Sequence, residues 1–339
     1  MRRLLKGVLT YVVIIPVITF ALLEVTLRIY DALSPSFVFP DNSENRWRGK
    51  PHSHHYNFQI NSKGFNDIEY DLVKPSGGYR IVALGDSFLY GVVPYEFNFL
   101  TLLDAQLDRQ DMEFEVINMG IPDTAPRQYH ALFVKEGLAW DPDLVLVHLF
   151  IGNDFLLPKL SKSYARYLFK ALLTLVPEYG NKIINPKQRY EDQQPSMSEA
   201  RFLEVQTRRL PVFDPTTAWF ETRLDEAIDY IVQIAELCRS RDIDIMVVMI
   251  PDELQVNDDL KRWVFGRALN VNATDFDFDR PNRVIHGKLT EQGIRFIDLL
   301  PPLRDEQRHR PTYKPRDTHW NIAGNRIAAE AVAEFIQGR

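Results

Sequence analysis

From Tyr79 to the C-terminus the chain repeats one alternation: short apolar runs rich in β-branched residues, separated by stretches of helical period. The runs span Arg80 to Leu84, Glu115 to Ile117, Leu144 to Ile151, Ile243 to Ile250 and Ile294 to Ile297. A strand with one wet face alternates apolar and polar residues, whereas these runs are nearly continuous. Both faces of each strand are therefore expected to be buried, as in a parallel sheet covered by helices on either side. The segments between supply such helices. Leu224, Ala227, Ile228, Ile231, Ile234, Ala235 and Cys238 recur at helical spacing, as do Ala328, Ala331, Val332, Phe335 and Ile336 near the end. The pattern predicts a doubly wound α/β fold, and 339 residues with 45% apolar content are enough to fill its core.

Two stretches exceed a minimal sheet-and-helix count, Phe155 to Trp219 and Gln255 to Gly287, and read as insertions (about 155–219 and 255–287). The first contains an aromatic, amphipathic segment, Tyr164 to Val176, which suits either a lid or ordinary packing.

Before the body, Arg2, Arg3 and Lys6 precede an uncharged run from Gly7 to Leu23. At ~1.5 Å per residue that run reaches ~26 Å, so a membrane span is expected to continue past Glu24 through Val25, Leu27 and Ile29. Basic residues concentrated before the run place the N-terminus in the cytoplasm and the rest of the chain outside the membrane. A cleaved signal peptide is the competing reading, and Thr19-Phe20-Ala21 offers it only a poor site. The expected division is a cytoplasmic tip and transmembrane anchor over 1–31, a Pro-, Ser-, Asn- and His-rich stalk over 32–78, and the α/β domain over 79–339.

The net charge of -6 argues against a partner that is a wrapped nucleic acid. A single cysteine, Cys238, excludes an intramolecular disulfide framework and any Cys-rich zinc or iron–sulfur site. No phosphate-binding glycine loop is present, His52, His54 and His55 have no companion carboxylates nearby, and Asp275, Asp277 and Asp279 lack the glycine and distal glutamate of a calcium loop, so neither a cofactor nor a metal is expected.

The chemistry-bearing residues cluster at strand ends. The first run leads into Gly85-Asp86-Ser87-Phe88, which puts a serine at the carboxyl end of a strand, where open α/β sheets bind ligands. A serine hydroxyl needs a base to take its proton and a carboxylate to orient that base. Arg316-Asp317-Thr318-His319-Trp320 supplies both, two residues apart, just before the last helix. Asn118-Met119-Gly120 follows the second run and Gly152-Asn153-Asp154 the third. A glycine N–H and an asparagine amide are donors suited to an oxyanion, with the Ser87 N–H as a third. Each residue alone also has an ordinary use: Ser87 as a helix cap, Asn153 and Asp154 in a turn, Asp317 and His319 as a cap before the final helix.

Taken in order, Gly-Asp-Ser-Phe, the glycine after the second strand, Gly-Asn-Asp and the C-terminal Asp-x-His resemble the four blocks of the SGNH, or GDSL-type, hydrolase superfamily. The resemblance runs from about Tyr79 to the C-terminus, outside the two insertions. It implies a flavodoxin-like three-layer α/β/α sandwich, with Ser87 as nucleophile, His319 as general base, Asp317 as its orienter, and Ser87, Gly120 and Asn153 as the oxyanion hole. Two departures stand out. The common pattern sets the aspartate three residues before the histidine, whereas the spacing here is similar to the Asp-x-His-Trp variant of polysaccharide O-acetylation relatives. Phe88 also replaces the usual leucine.

The activity implied is hydrolysis of an oxygen ester, an O-acyl and above all O-acetyl group on a carbohydrate or lipid, outside the cytoplasmic membrane. The alternatives are an O-acyltransferase decorating an extracytoplasmic polysaccharide and a catalytically silent membrane-anchored scaffold. The partners expected are the acylated substrate and the membrane.

Overall fold

The computed structural model describes residues 10–19, 21–22, 48–49, 51, 58–107, 113–155, 190–216, 218–267 and 272–338. Five strands, β1 (Tyr79–Gly85), β2 (Phe114–Gly120), β3 (Leu144–Phe150), β4 (Asp244–Ile250) and β5 (Arg295–Asp298), form one sheet. All neighbours pair in parallel, in the order β2-β1-β3-β4-β5. Each expected run overlaps one of these strands, with Ile151, Ile243 and Ile294 falling one residue outside.

In chain order the helices are α1 (Ser87–Tyr90), α2 (Phe99–Leu107), α3 (Pro126–Lys135), α4 (Glu199–Arg209) and α5 (Trp219–Arg239). There follow α6 (Glu253–Val256), α7 (Asp258–Phe265), α8 (Arg280–Glu291), α9 (Leu300–Gln307) and α10 (Ile322–Ile336). Alternate strand residues feed two separate cores. Val82, Leu84, Val145, Val147, Val247 and Met249 pack with α3, α4, α5, α7 and α8 on one face. Ile81, Ala83, Leu146, Met246, Val248 and Ile250 pack with α1, α2, α9 and α10 on the other. The result is the three-layer α/β/α sandwich, and it explains the apolar runs: the central residues of β1, β3 and β4 are buried whichever way they point. Cys238 is buried on the sheet-facing side of α5, as its helical spacing suggested.

The strand order reverses between β1 and β3, because the chain passes outward from β1 to β2 and then returns to the other side of β1. A crevice opens at the carboxyl ends of two strands that diverge in this way, and ligands of open α/β sheets bind there.

Three expectations about organisation change. Residues 58–78, read as the end of the stalk, are part of the folded body. Phe58, Ile60 and Phe65 are buried, the Asp67 carboxylate accepts the Asn118 N–H at 2.7 Å, and the Arg80 guanidinium donates to the carbonyls of Leu72 and Asp71. A few anchors and side-chain hydrogen bonds hold this segment, so it carries no periodicity for the sequence to reveal. The stretch 255–287 is not a simple excursion: Leu260, Val264 and Ile285 are buried in the core, and α8 is the crossover helix between β4 and β5. Within 155–219, the segment from 190 onward folds onto the body, with Phe202, Leu210, Val212 and Phe213 in the core. The Tyr164 to Val176 stripe lies outside the described residues.

At the N-terminus the chain is helical over 10–19 and at 21–22, with Tyr11, Val12, Val17 and Leu22 exposed. Among the described residues no helix is long and apolar enough to cross a membrane. The rest of the span expected over 7–29 lies outside them.

Candidate active site

The end of β1 passes directly into a helix of a single turn. Asp86 caps it, its carboxylate accepting the Phe88 N–H at 2.9 Å, and this sharp turn sets Ser87 at the first helical position. Asp86 and Phe88 are buried while Ser87 between them is partly open, so the serine hydroxyl is the accessible group of the turn. A one-turn helix has little stability of its own. Here three amide side chains take up its last carbonyls. Asn118 Nδ2 donates to Leu89 O at 2.8 Å, Asn98 Nδ2 donates to the same oxygen at 2.9 Å, and Asn66 Nδ2 donates to Tyr90 O at 2.6 Å. None of these three emerged from the sequence as a supporting residue. A lone asparagine in a loop or at a strand end carries no mark of what it caps.

His319 reaches Ser87 from the loop between α9 and α10. Its Nε2 is 2.8 Å from Ser87 Oγ and its Nδ1 is 2.7 Å from Asp317 Oδ1. A carboxylate only accepts, so the neutral imidazole carries its proton on Nδ1, and Nε2 is left to accept from the serine hydroxyl. The Asp317 and His319 spacing of two is made possible by an unusual backbone. Arg316 (φ 47°) and Thr318 (φ 81°), the two neighbours of Asp317, both lie in the left-handed region. Such residues cost roughly 1–3 kcal/mol each and persist where surrounding contacts over-determine them. The base of the loop is pinned by a bridge between Tyr313 and Trp320 and by the Tyr313 hydroxyl, which donates to Pro251 O at 2.7 Å.

Phe88 turns out to shape the site. Its ring lies 5.1 Å from the His319 ring, 4.4 Å from Phe150 and 4.9 Å from Trp320, an aromatic shelf against which the imidazole rests.

The expected oxyanion donors divide. Asn153 follows β3, and its side-chain amide stands beside the Asp86 carboxylate, while its Oδ1 is buried without a hydrogen-bond partner among the described residues. The Gly120 N–H, however, donates to Asn118 Oδ1 at 2.9 Å and is therefore occupied. What glycine provides there is room: a Cβ at Gly120 would stand 2.4 Å from Leu89 Cβ and 2.6 Å from Tyr90 N, so β2 can lie against α1 only without a side chain. The Gly120 N–H is thus not free to serve as the third donor.

The surroundings are buried and acidic. Burial raises the Asp86 carboxyl, an effect opposed by the Phe88 N–H and by His319, Asn153 and Arg209. Burial, with the Asp86 charge adding, pushes Asp154 well above the usual carboxylate range, and the Tyr129 hydroxyl sits 3.2 Å from its oxygens. Glu253 is pushed up to about 8 by burial and the adjacent Asp252 charge. Asp252 itself is paired at 2.8 Å with Arg209, whose guanidinium lies over the Phe150 ring. This buried pair closes the floor of the third block, because a Cβ at Gly152 would meet Asp252 Oδ2 at 2.4 Å. No group of three or more metal-ligating side chains occurs among the described residues.

The four segments read from the sequence thus converge on the reversal point of the sheet, with Ser87, His319 and Asp317 joined in one hydrogen-bonded chain. A search of curated proteins finds no match. Among solved structures, an acetyl xylan esterase is similar with a TM-score of 0.44 at 13% identity, covering 76% of this chain and 99% of its own. A putative lipolytic protein of the G-D-S-L family from Desulfitobacterium hafniense gives 0.41 at 14%, covering 76% and 99%. The lipase/acylhydrolase from Enterococcus faecalis gives 0.41 at 14%, covering 77% and 96%. Residues 214–339, which include Asp317 and His319, match the family described as the SGNH hydrolase-like domain of acetyltransferase AlgX. Over residues 214–339 the chain is thus similar to an SGNH hydrolase-like domain.

Proposed function

We infer that this protein transfers an acyl group, above all acetyl, from an oxygen ester through Ser87. The observation that carries the reading is the unbroken chain from Ser87 Oγ through His319 to Asp317. Ser87 Oγ attacks the acyl carbon while His319 Nε2 accepts its proton. The oxyanion that forms is held by the Ser87 N–H and the Asn153 amide, and His319 then returns the proton to the departing alcohol. Water attacking the acyl-Ser87 makes the protein an esterase of carbohydrate or lipid esters. A sugar hydroxyl in place of water makes it an O-acyltransferase, and the likeness of residues 214–339 to an acetyltransferase domain favours this second outcome for the natural reaction.

The deciding experiment supplies the purified full chain with an aryl acetate, with and without an acetyl-accepting polysaccharide. Release of the aryl alcohol is expected in both cases, with acetate appearing on the polysaccharide only if the protein is a transferase. A protein that releases no alcohol and reacts with no fluorophosphonate probe would be the silent scaffold instead.

The charge asymmetry of Arg2, Arg3 and Lys6 against the apolar run supports an N-in orientation with the α/β domain outside the cytoplasmic membrane. A C-terminal reporter that works only after export is expected to be active, and activity confined to a cytoplasmic reporter would reverse the topology.

A further inference from the structure

Asp317 has two carboxylate oxygens, and His319 uses one. The other, Oδ2, accepts a hydrogen bond from Ser196 Oγ, which comes from a segment 121 residues earlier in the chain. Asp317 is almost fully buried, with 8% of its side chain exposed. An oxygen of a desolvated carboxylate left without a donor is costly, and a carboxylate held at one oxygen only can swing about its own axis. Ser196 gives Oδ2 a donor and holds the carboxylate at its second oxygen.

The serine is itself carried on a brace. Lys314 Nζ donates to the carbonyls of Glu191 at 2.7 Å and Gln194 at 2.5 Å, and the Ser196 N–H donates to Pro315 O at 3.3 Å. Asp192 Oδ1 accepts the Ile322 N–H at 3.0 Å and the Tyr190 hydroxyl at 2.6 Å. Segment 190–198 is thus laid along both sides of the loop that holds Asp317 and His319, where Arg316 and Thr318 take their left-handed conformations. A strained loop needs this kind of over-determination.

We propose that Ser196 is a positioning residue, a fourth member of the chain Ser87–His319–Asp317–Ser196, which fixes the orientation of the carboxylate and through it the imidazole. The proposal deepens the acyl-transfer reading and rests on it for its kinetic consequence. Because Ser196 acts on the carboxylate of Asp317, its loss is expected to lower turnover and to leave substrate binding alone. The remaining brace contacts do not use its hydroxyl, so the segment stays docked without it.

The experiment compares Ser196→Ala, Ser196→Thr and Ser196→Val in the full chain. Thr and Val share a shape and differ in the hydroxyl, so this pair separates the hydrogen bond from packing even if the alanine variant folds poorly. With an aryl acetate, kcat of the Ala and Val variants is expected to fall roughly tenfold with KM within about twofold, and Thr is expected to restore it. The far-downfield proton resonance of the His319 Nδ1–H bonded to Asp317 should move in Ala and Val and return in Thr. Unchanged kcat and an unmoved resonance in Val would overturn the proposal, as would a rise in KM alone. If the wild type hydrolyses nothing and takes up no fluorophosphonate, the acyl-transfer reading fails. The resonance then decides by itself whether Ser196 orients the dyad.

Discussion

Alanine at Ser87 is expected to abolish fluorophosphonate labelling and to lower kcat for an aryl acetate by roughly 10⁴-fold or more, with KM little changed. Alanine at His319 should do the same. The hydroxyl is inert at neutral pH, and what activates it is the 2.8 Å contact to Nε2, an acceptor only because Asp317 holds the imidazole proton on Nδ1. Neither residue does anything for this step without the other. The double variant should therefore be no worse than either single one, the signature of groups acting as a unit. Neither change removes core packing, since Ser87 is partly open and His319 rests on the Phe88 ring rather than beneath it. Circular dichroism and thermal midpoints should stay close to wild type. Hydrolysis of Ser87→Ala within tenfold of wild type would move the nucleophile elsewhere, and additive losses in the double variant would mean that His319 works on another proton.

How far the sequence could be read depends on what holds each part together. The strands were visible because an α/β/α sandwich buries both faces of its sheet, so that Leu144 to Phe150 is apolar at every position but His148. Even His148 is buried, its Nδ1 beside Leu84 O at 3.2 Å and its charged form suppressed by burial to about 3. The serine, histidine and aspartate were visible because each adjoins a strand end or a helix start, where the order of blocks restricts what can meet. Gly120 was misread for a reason of range. Whether a backbone N–H is free depends on the rotamer of Asn118 two residues before it, and spacing says nothing about rotamers.

The supports of the site are of the same kind. Asn66 and Asn98 from two loops and Asn118 from the end of β2 cap a one-turn helix, and Ser196 reaches Asp317 from a polar stretch with no period. Apolar periodicity reports the core. Side-chain hydrogen bonds between distant loops leave no pattern in one sequence, and the final ångström of this site is set by them.

Asparagine at Asp317 is the change that best tests the orienting role, because it keeps the size of the side chain and removes only the charge and one acceptor. Two consequences follow for His319. The amide nitrogen can donate to Nδ1, which forces the imidazole proton onto Nε2, the wrong tautomer to accept from Ser87. Even with its oxygen turned to Nδ1, the amide offers no negative charge to the imidazolium that forms as Ser87 gives up its proton. Ser196 cannot prevent the unproductive flip. Its hydroxyl donates to an oxygen or accepts from an NH₂ equally well, so both amide orientations keep a partner. Asp317→Asn is therefore expected to lower kcat at neutral pH by about 10⁴-fold, the cost observed when the corresponding aspartate of a serine protease triad is replaced. The rate of fluorophosphonate labelling should fall in proportion, since both reactions need the same proton transfer. Hydrolysis within tenfold of wild type would show that the Ser196 and Asp317 side of the loop is a structural support only, and that His319 is held in its tautomer by another group. A large loss of hydrolysis with unchanged labelling would instead place the role of Asp317 in the second half of the reaction, where His319 must take the proton of the incoming water or sugar hydroxyl.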